Sequence, residues 1–92
     1  MIVGFACQDT GELFVKGRNR RFAGIARQAL RRLNMLNAVV TLEELGVPPG
    51  NHLKSLSGDR AGQHSLRIND QWRLCFVWKD GHAHEVAIVD YH

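Results

Sequence analysis

Gln63-His64-Ser65-Leu66-Arg67-Ile68-Asn69-Asp70-Gln71-Trp72-Arg73-Leu74-Cys75-Phe76-Val77-Trp78 is the stretch that decides the fold. Leu66 and Ile68 alternate with Ser65 and Arg67, while Trp72, Leu74, Phe76 and Trp78 alternate with Arg73, Cys75 and Val77. A period of two makes both segments half-buried strands. Asn69-Asp70-Gln71 between them reads as a three-residue hairpin loop, built from a turn plus one left-handed residue that Asn or Asp tolerates. Pairing Ile68 with Trp72 sets Leu66 opposite Leu74 and Arg67 opposite Arg73, on the face turned away from Leu and Trp. A slip of one residue would mismatch the faces, so the apolar pattern fixes the register.

Like charges directly across a sheet repel. Two guanidinium groups about 5 Å apart cost roughly 1–3 kcal/mol, depending on exposure. Two readings accommodate that cost. Either Arg67 and Arg73 clamp a phosphate, for which the guanidinium fork is suited, or each pairs with a nearby acid such as Asp59 or Asp90.

Working outward, Lys79-Asp80-Gly81 carries a strong Asp-Gly turn signal, and His82 to Asp90 is the last strand. Val86, Ala87, Ile88 and Val89 are apolar without alternation, as in a strand covered on both faces. Pairing it with Trp72–Trp78 returns the chain end to the arginine-bearing end of the hairpin. Upstream, Ser57 to Gly62 is a turn-rich loop, Leu53 to Leu56 a short strand, and Pro48-Pro49-Gly50-Asn51 a stiff turn that stops all helix. Thr41-Leu42-Glu43-Glu44 matches a capping box opening a short turn that ends at Gly46. From Arg20, the residues Phe22, Ile25, Ala26, Ala29, Leu30, Leu33 and Leu36 recur at three and four, which predicts an amphipathic helix. Arg20, Arg27 and Arg31 fall on its opposite side, with Arg21 and Arg32 flanking the stripe. Without acids at four-residue spacing this basic face is either simply solvated or a contact for RNA or an acidic protein. Met1 to Phe5 reads as a first strand, and Asp9-Thr10 caps a short helix that Gly17 closes.

Ninety-two residues suffice for one domain, residues 1–92, and not two. The net charge of +3 rests mostly on arginine and points toward an anionic partner. No apolar run approaches a membrane span, and Met1-Ile2-Val3-Gly4-Phe5 lacks the regions of a signal peptide. Cys7 and Cys75, far apart and without a C-x-x-C partner, read as reduced thiols of a cytoplasmic protein.

The chain ends Asp90-Tyr91-His92, which gathers an acid, a phenol, an imidazole and an α-carboxylate. Cleaving RNA at its own 2′-hydroxyl needs a base for the 2′ proton, an acid for the departing 5′ oxygen and fixed positive charge for the phosphate, but no metal. His92 suits acid or base work, since an unperturbed imidazole titrates near ~6.5. Arg67 and Arg73 supply the charge, and Tyr91 stacks on a base or donates a hydrogen bond. Lys54, His52 and His64 are further candidates for proton transfer. The competing constellation is zinc held by His82-x-His84 with His92 or a cysteine, but its spacing matches no common closed site.

Pro48-Pro49-Gly50-Asn51, Leu56-Ser57-Gly58-Asp59-Arg60-Ala61-Gly62-Gln63-His64-Ser65, Asn69-Asp70-Gln71-Trp72-Arg73 and Val89-Asp90-Tyr91-His92 together resemble the HigB toxins of the RelE superfamily. Leu13-Phe14, Gly17 and Arg21 fit the same pattern, so the likeness covers essentially the whole chain. It implies an α+β, RelE-like fold, with two to three N-terminal helices packed on a curved, mostly antiparallel sheet of four to five strands. It also implies a cytoplasmic toxin that enters the ribosomal A site and cuts mRNA there, with neither metal nor cofactor, leaving a cyclic phosphate. The implied partners are ribosome, mRNA and a HigA-like helix-turn-helix antitoxin, through which alone it meets operator DNA. The implied catalytic set is His92, Tyr91, Asp90 and Arg73, with Arg67 and Lys54; Arg20, Arg27, Arg31 and His64 are candidates for RNA or ribosome contact. A ParE-like binder that inhibits a protein such as gyrase is the alternative.

Overall fold

The computed structural model describes residues 1–90. Two helices, α1 (Gln8–Lys16) and α2 (Ala26–Ala38), precede a four-stranded sheet of β1 (Lys54–Ser55), β2 (Gln63–Arg67), β3 (Trp72–Lys79) and β4 (His82–Asp90). The strands lie in sequence order, every neighbour antiparallel. The expected α+β architecture is therefore present, with the whole helical layer encoded before the sheet it covers.

The hairpin has the register that alternation dictates. Leu66 faces Leu74 and Arg67 faces Arg73. Asn69 sets the turn: its Oδ1 accepts the Gln71 N–H and the Trp72 N–H, each at 2.8 Å. The second hairpin closes through Asp80 and Gly81, with φ of 55° and 78°, the double left-handed pair that a tight turn between twisted strands requires. One face of the sheet carries Leu66, Leu74, Phe76, Val86 and Ile88, which join Leu13, Phe22, Ala29, Leu33 and Leu36 of the helical layer in the core. Phe22 meets the Trp72 ring edge-on at 5.6 Å.

Six local expectations change. The first helix is not capped by Asp9 or Thr10, because Cys7 stands at the cap position and Thr10 is buried inside the helix; Gly17, left-handed at φ 77°, does close it. The second helix begins at Ala26 rather than Arg20, after a 3-10 turn over Ala23–Ile25. Asn19 is the reason: its Oδ1 accepts the Arg21 and Phe22 N–H groups, and its Nδ2 donates to Asp9 and Glu12, which fixes a bend where the apolar period alone suggests helix. Arg20 thus leaves the helical face on which Arg27 and Arg31 stand. Pro49–Asn51 forms a further 3-10 turn instead of excluding helix, and the strand expected over Leu53 to Leu56 shrinks to Lys54–Ser55. Met1 to Phe5 forms only two parallel bridges, Ile2 to Ala83 and Phe5 to Val86.

The last correction concerns β4. Its apolar run is not covered equally on both faces: Val86 and Ile88 are buried, Ala87 and Val89 only half-buried. A β-bulge places Glu85 and Val86 opposite Phe76, because Cys75 pairs with Ala87 while Val77 pairs with His84. The extra residue resets the alternation, so Ala83, Val86 and Ile88 all reach the core. Glu85 absorbs the bend in the left-handed region at φ 52°, which costs a non-glycine residue about 1–2 kcal/mol. Replacing Glu85 with valine, stiff at its β-carbon, is expected to lower unfolding free energy by a further ~1 kcal/mol, whereas Glu85→Gly keeps or raises it; urea melts of the two variants measure the difference.

Candidate functional site

The face of the sheet turned away from the helices carries Lys54 on β1, Ser65 and Arg67 on β2, and Arg73 and Cys75 on β3, since Lys54 pairs with Ser65, Ser65 with Cys75 and Arg67 with Arg73. Arg73 is its centre. Only 7% exposed, it donates from Nε to Ser65 Oγ at 2.8 Å and from a terminal nitrogen to the His52 carbonyl at 2.6 Å. That carbonyl is aimed by backbone geometry: His52 is left-handed at φ 44°, directly after the Pro49–Asn51 turn. Asn51, buried, pins the turn by donating from Nδ2 to the Leu45 carbonyl at 2.9 Å.

Arg67 takes a different course. Its guanidinium pairs with Asp70 in the hairpin loop. Neither Asp59 nor Asp90 supplies that ion pair. One arginine leans toward the hairpin tip and the other across β2 toward β1, so these contacts draw the two groups apart and relieve much of the repulsion their register imposes. Asp90, at the end of β4, pairs with Trp72 and accepts a hydrogen bond from Gln71 Nε2 at 3.1 Å. Its neighbour Val89 stands opposite Arg73. β4 therefore ends at the arginine-bearing end of the hairpin, as its pairing predicts. The assignments to Tyr91 and His92 lie outside the described residues.

The other candidates disperse. Lys54 is exposed on the Arg73 face, and His52 is exposed and meets Arg73 through its carbonyl. His64 alternates to the other face, where its ring lies 5.9 Å from Phe76 and its Nδ1 is 3.2 Å from Ser55 Oγ. Arg27 and Arg31 are exposed on α2. Arg20 instead lines an open cleft of about 550 Å³ with Glu12, Arg18, Asn19, Ala23 and Ala26, between the helices and away from the arginine face. Among the described residues no three His, Cys, Asp or Glu side chains converge as a metal would require.

Three participants escaped the sequence reading. Arg32 donates from Nε to the Arg67 carbonyl at 3.1 Å, tying α2 to the hairpin, and its pKa is lowered by partial burial and by the like charges of Arg31 and Arg67. Arg60 bonds Gln63 Oε1 at 3.3 Å at the start of β2; the Gly58-Asp59-Arg60 turn was its only visible signal. Ser65 holds the Arg73 guanidinium, and only its place in the alternation marked it. Burial pushes the Cys75 thiol up against the opposing pull of Arg60 and Arg73, so it is a packing residue beneath the cations.

The sequence matches, over residues 13–92, the family of HigB-like toxins, described as RelE-like toxins of type II toxin–antitoxin systems. The chain belongs to that family. Among HigB relatives it is 33% identical to Endoribonuclease HigB of Proteus vulgaris across all of both chains. It is 39% identical to Toxin HigB-1 of Vibrio cholerae over 66% of its own length and 64% of that protein's. The RelE-like fold is shared with solved toxins of much lower identity. The YoeB–YefM complex of Staphylococcus aureus aligns with a TM-score of 0.57 at 19% identity, covering 100% of this chain and 98% of the other. A point mutant of YafQ from E. coli aligns at 0.55 and 13%, covering 98% and 93%. Among the described residues no helix is long and apolar enough to cross a membrane.

Proposed function

We propose that this HigB-family toxin, an endoribonuclease by family, cuts mRNA in the ribosomal A site by in-line attack of the substrate's own 2′-hydroxyl. The observation that carries the reading is Arg73: a nearly buried guanidinium, oriented by Ser65 and the His52 carbonyl, on the sheet face turned away from the helices at the end where β4 reaches Asp90. A charge fixed in that way is organised before substrate arrives, so it costs no reorganisation as negative charge grows on the phosphate. Arg67, across the register and ion-paired with Asp70, adds positive charge on the same face beside the phosphate, and Lys54 extends the field along β1.

The terminal residues supply the proton chemistry. His92 exchanges a proton with the reacting oxygens, Asp90 orients the tail through its contact with Gln71, and Tyr91 stacks on or hydrogen-bonds the flanking base. Arg27 and Arg31, with Arg20 from its separate loop and His64 from the other face, contact the phosphates of the ribosome. The antitoxin that a type II system supplies is a HigA-like helix-turn-helix protein, and operator DNA is met only through it.

Primer extension on mRNA from induced cells, with and without translation, tests the reading. Cuts at codon positions that vanish when translation stops support it. Intact mRNA with persisting growth arrest would instead favour a toxin that acts by binding a protein such as gyrase.

A further inference from the structure

The parallel contact between the N-terminal segment and β4 is regular and then stops. Ala83 N–H donates to the Met1 carbonyl at 2.9 Å, Val3 N–H to the Ala83 carbonyl at 2.9 Å, Val86 N–H to the Gly4 carbonyl at 3.0 Å and Ala6 N–H to the Val86 carbonyl at 3.0 Å. The next donor along β4 is the Ile88 N–H, and a continued parallel strand would offer it the Ala6 carbonyl. The chain turns into α1 at Cys7, however, and Thr10 supplies the acceptor: Ile88 N–H donates to Thr10 Oγ1 at 3.0 Å. Thr10 is fully buried and Ile88 is 2% exposed, so solvent does not take over this bond. On its other edge Ile88 pairs with Leu74 of β3.

From this geometry we infer that Thr10 is a positioning residue for the reaction, the outer tether that holds β4 two residues before Asp90-Tyr91-His92. At this buried place on α1 the threonine hydroxyl meets the stranded Ile88 donor. Asp90 is held on one side by Trp72 and Gln71. Release of Ile88 on the opposite edge lets the end of β4 pivot, and displacements of that scale at a reacting group cost large factors in rate. The inference rests on the assignment of the terminal residues to catalysis.

Two measurements on the purified toxin separate the tether from that assignment. The first is amide hydrogen exchange. Thr10→Val, which keeps shape but removes the acceptor, is expected to accelerate exchange at Ile88 through Asp90 by about 10-fold or more, with Thr10→Ser close to wild type. Unchanged exchange in Thr10→Val overturns the tether whatever the protein's activity. The second is single-turnover cleavage of mRNA on programmed ribosomes at saturation. Thr10→Val is expected to lose about 10-fold in the cleavage rate constant with ribosome affinity within about 2-fold, Thr10→Ser to restore the rate, and Thr10→Val to add under about 2-fold in a His92→Ala background. A wild-type rate for Thr10→Val, or a full further loss in the His92→Ala background, contradicts the positioning role. If His92→Ala alone cuts as fast as wild type, the terminal assignment fails, and the exchange data still judge the tether. If Thr10→Val does not fold, Thr10→Ala replaces it in both comparisons.

Discussion

Arg73→Lys is expected to lower mRNA cleavage by about 10²- to 10³-fold, the usual loss when a preorganised group that stabilises transition-state charge is removed. The substitution keeps the positive charge, so the effect isolates geometry. The guanidinium donates from Nε to Ser65 Oγ and from a terminal nitrogen to the His52 carbonyl, and a planar fork fixed at two points is held in one orientation. An ammonium on a flexible stem cannot reproduce both anchors and still face the phosphate. Arg73→Ala goes further, since it leaves the buried Ser65 hydroxyl and the His52 carbonyl short of a partner, at a stability cost of about 1–3 kcal/mol. The pair of variants therefore divides the roles. Single-turnover rates should fall for both, while urea midpoints should fall mainly for alanine. A lysine variant that cuts at the wild-type rate would remove Arg73 from the centre of the site.

His92→Ala, or removal of that one residue, is expected to reduce cleavage by about 10²- to 10⁴-fold, the range for loss of a general acid or base. Growth arrest on induction should disappear while the protein still accumulates and still captures its antitoxin. The reason is chemical: a 2′-hydroxyl attack has two proton transfers, and imidazole is the side chain whose charge changes near working pH. An equally toxic shortened chain, cutting the same messages, would move the proton transfer elsewhere, with Lys54 on the Arg73 face as the next group to test.

The pairing of the two arginines was legible in the alternation of a single hairpin. Leu66, Ile68, Trp72 and Leu74 leave one register open, and that register places Arg67 opposite Arg73 without any knowledge of the tertiary structure. What the arginines bond to was less accessible. Asp70 lies three residues from Arg67 and was in principle readable, but a backbone carbonyl such as that of His52 carries no sequence signature. Arg73 finds it only because Asn51 and the left-handed His52 bring a distant turn against β2.

The same limit explains the helix boundary. The period of three and four begins at Phe22 because Phe22 does enter the core, yet Asn19 bends the backbone there, so α2 starts at Ala26 and Arg20 departs from the basic face. In β4 the failure was one of pattern. Ala83, Val86 and Ile88 are spaced by three and then two, which is the trace of a bulge rather than of a strand covered on both faces.

The measurement that bears most directly on the central claim is the chemistry of the cut ends. Messenger RNA bound to ribosomes with an open A site, treated with the purified toxin, is expected to yield an upstream fragment ending in a 2′,3′-cyclic phosphate and a downstream fragment beginning with a 5′-hydroxyl, as internal attack by the 2′-oxygen requires. Fragments carrying a 3′-hydroxyl and a 5′-phosphate would mean that water or another external nucleophile attacks the phosphate, and would contradict the mechanism built on Arg73 and the chain end.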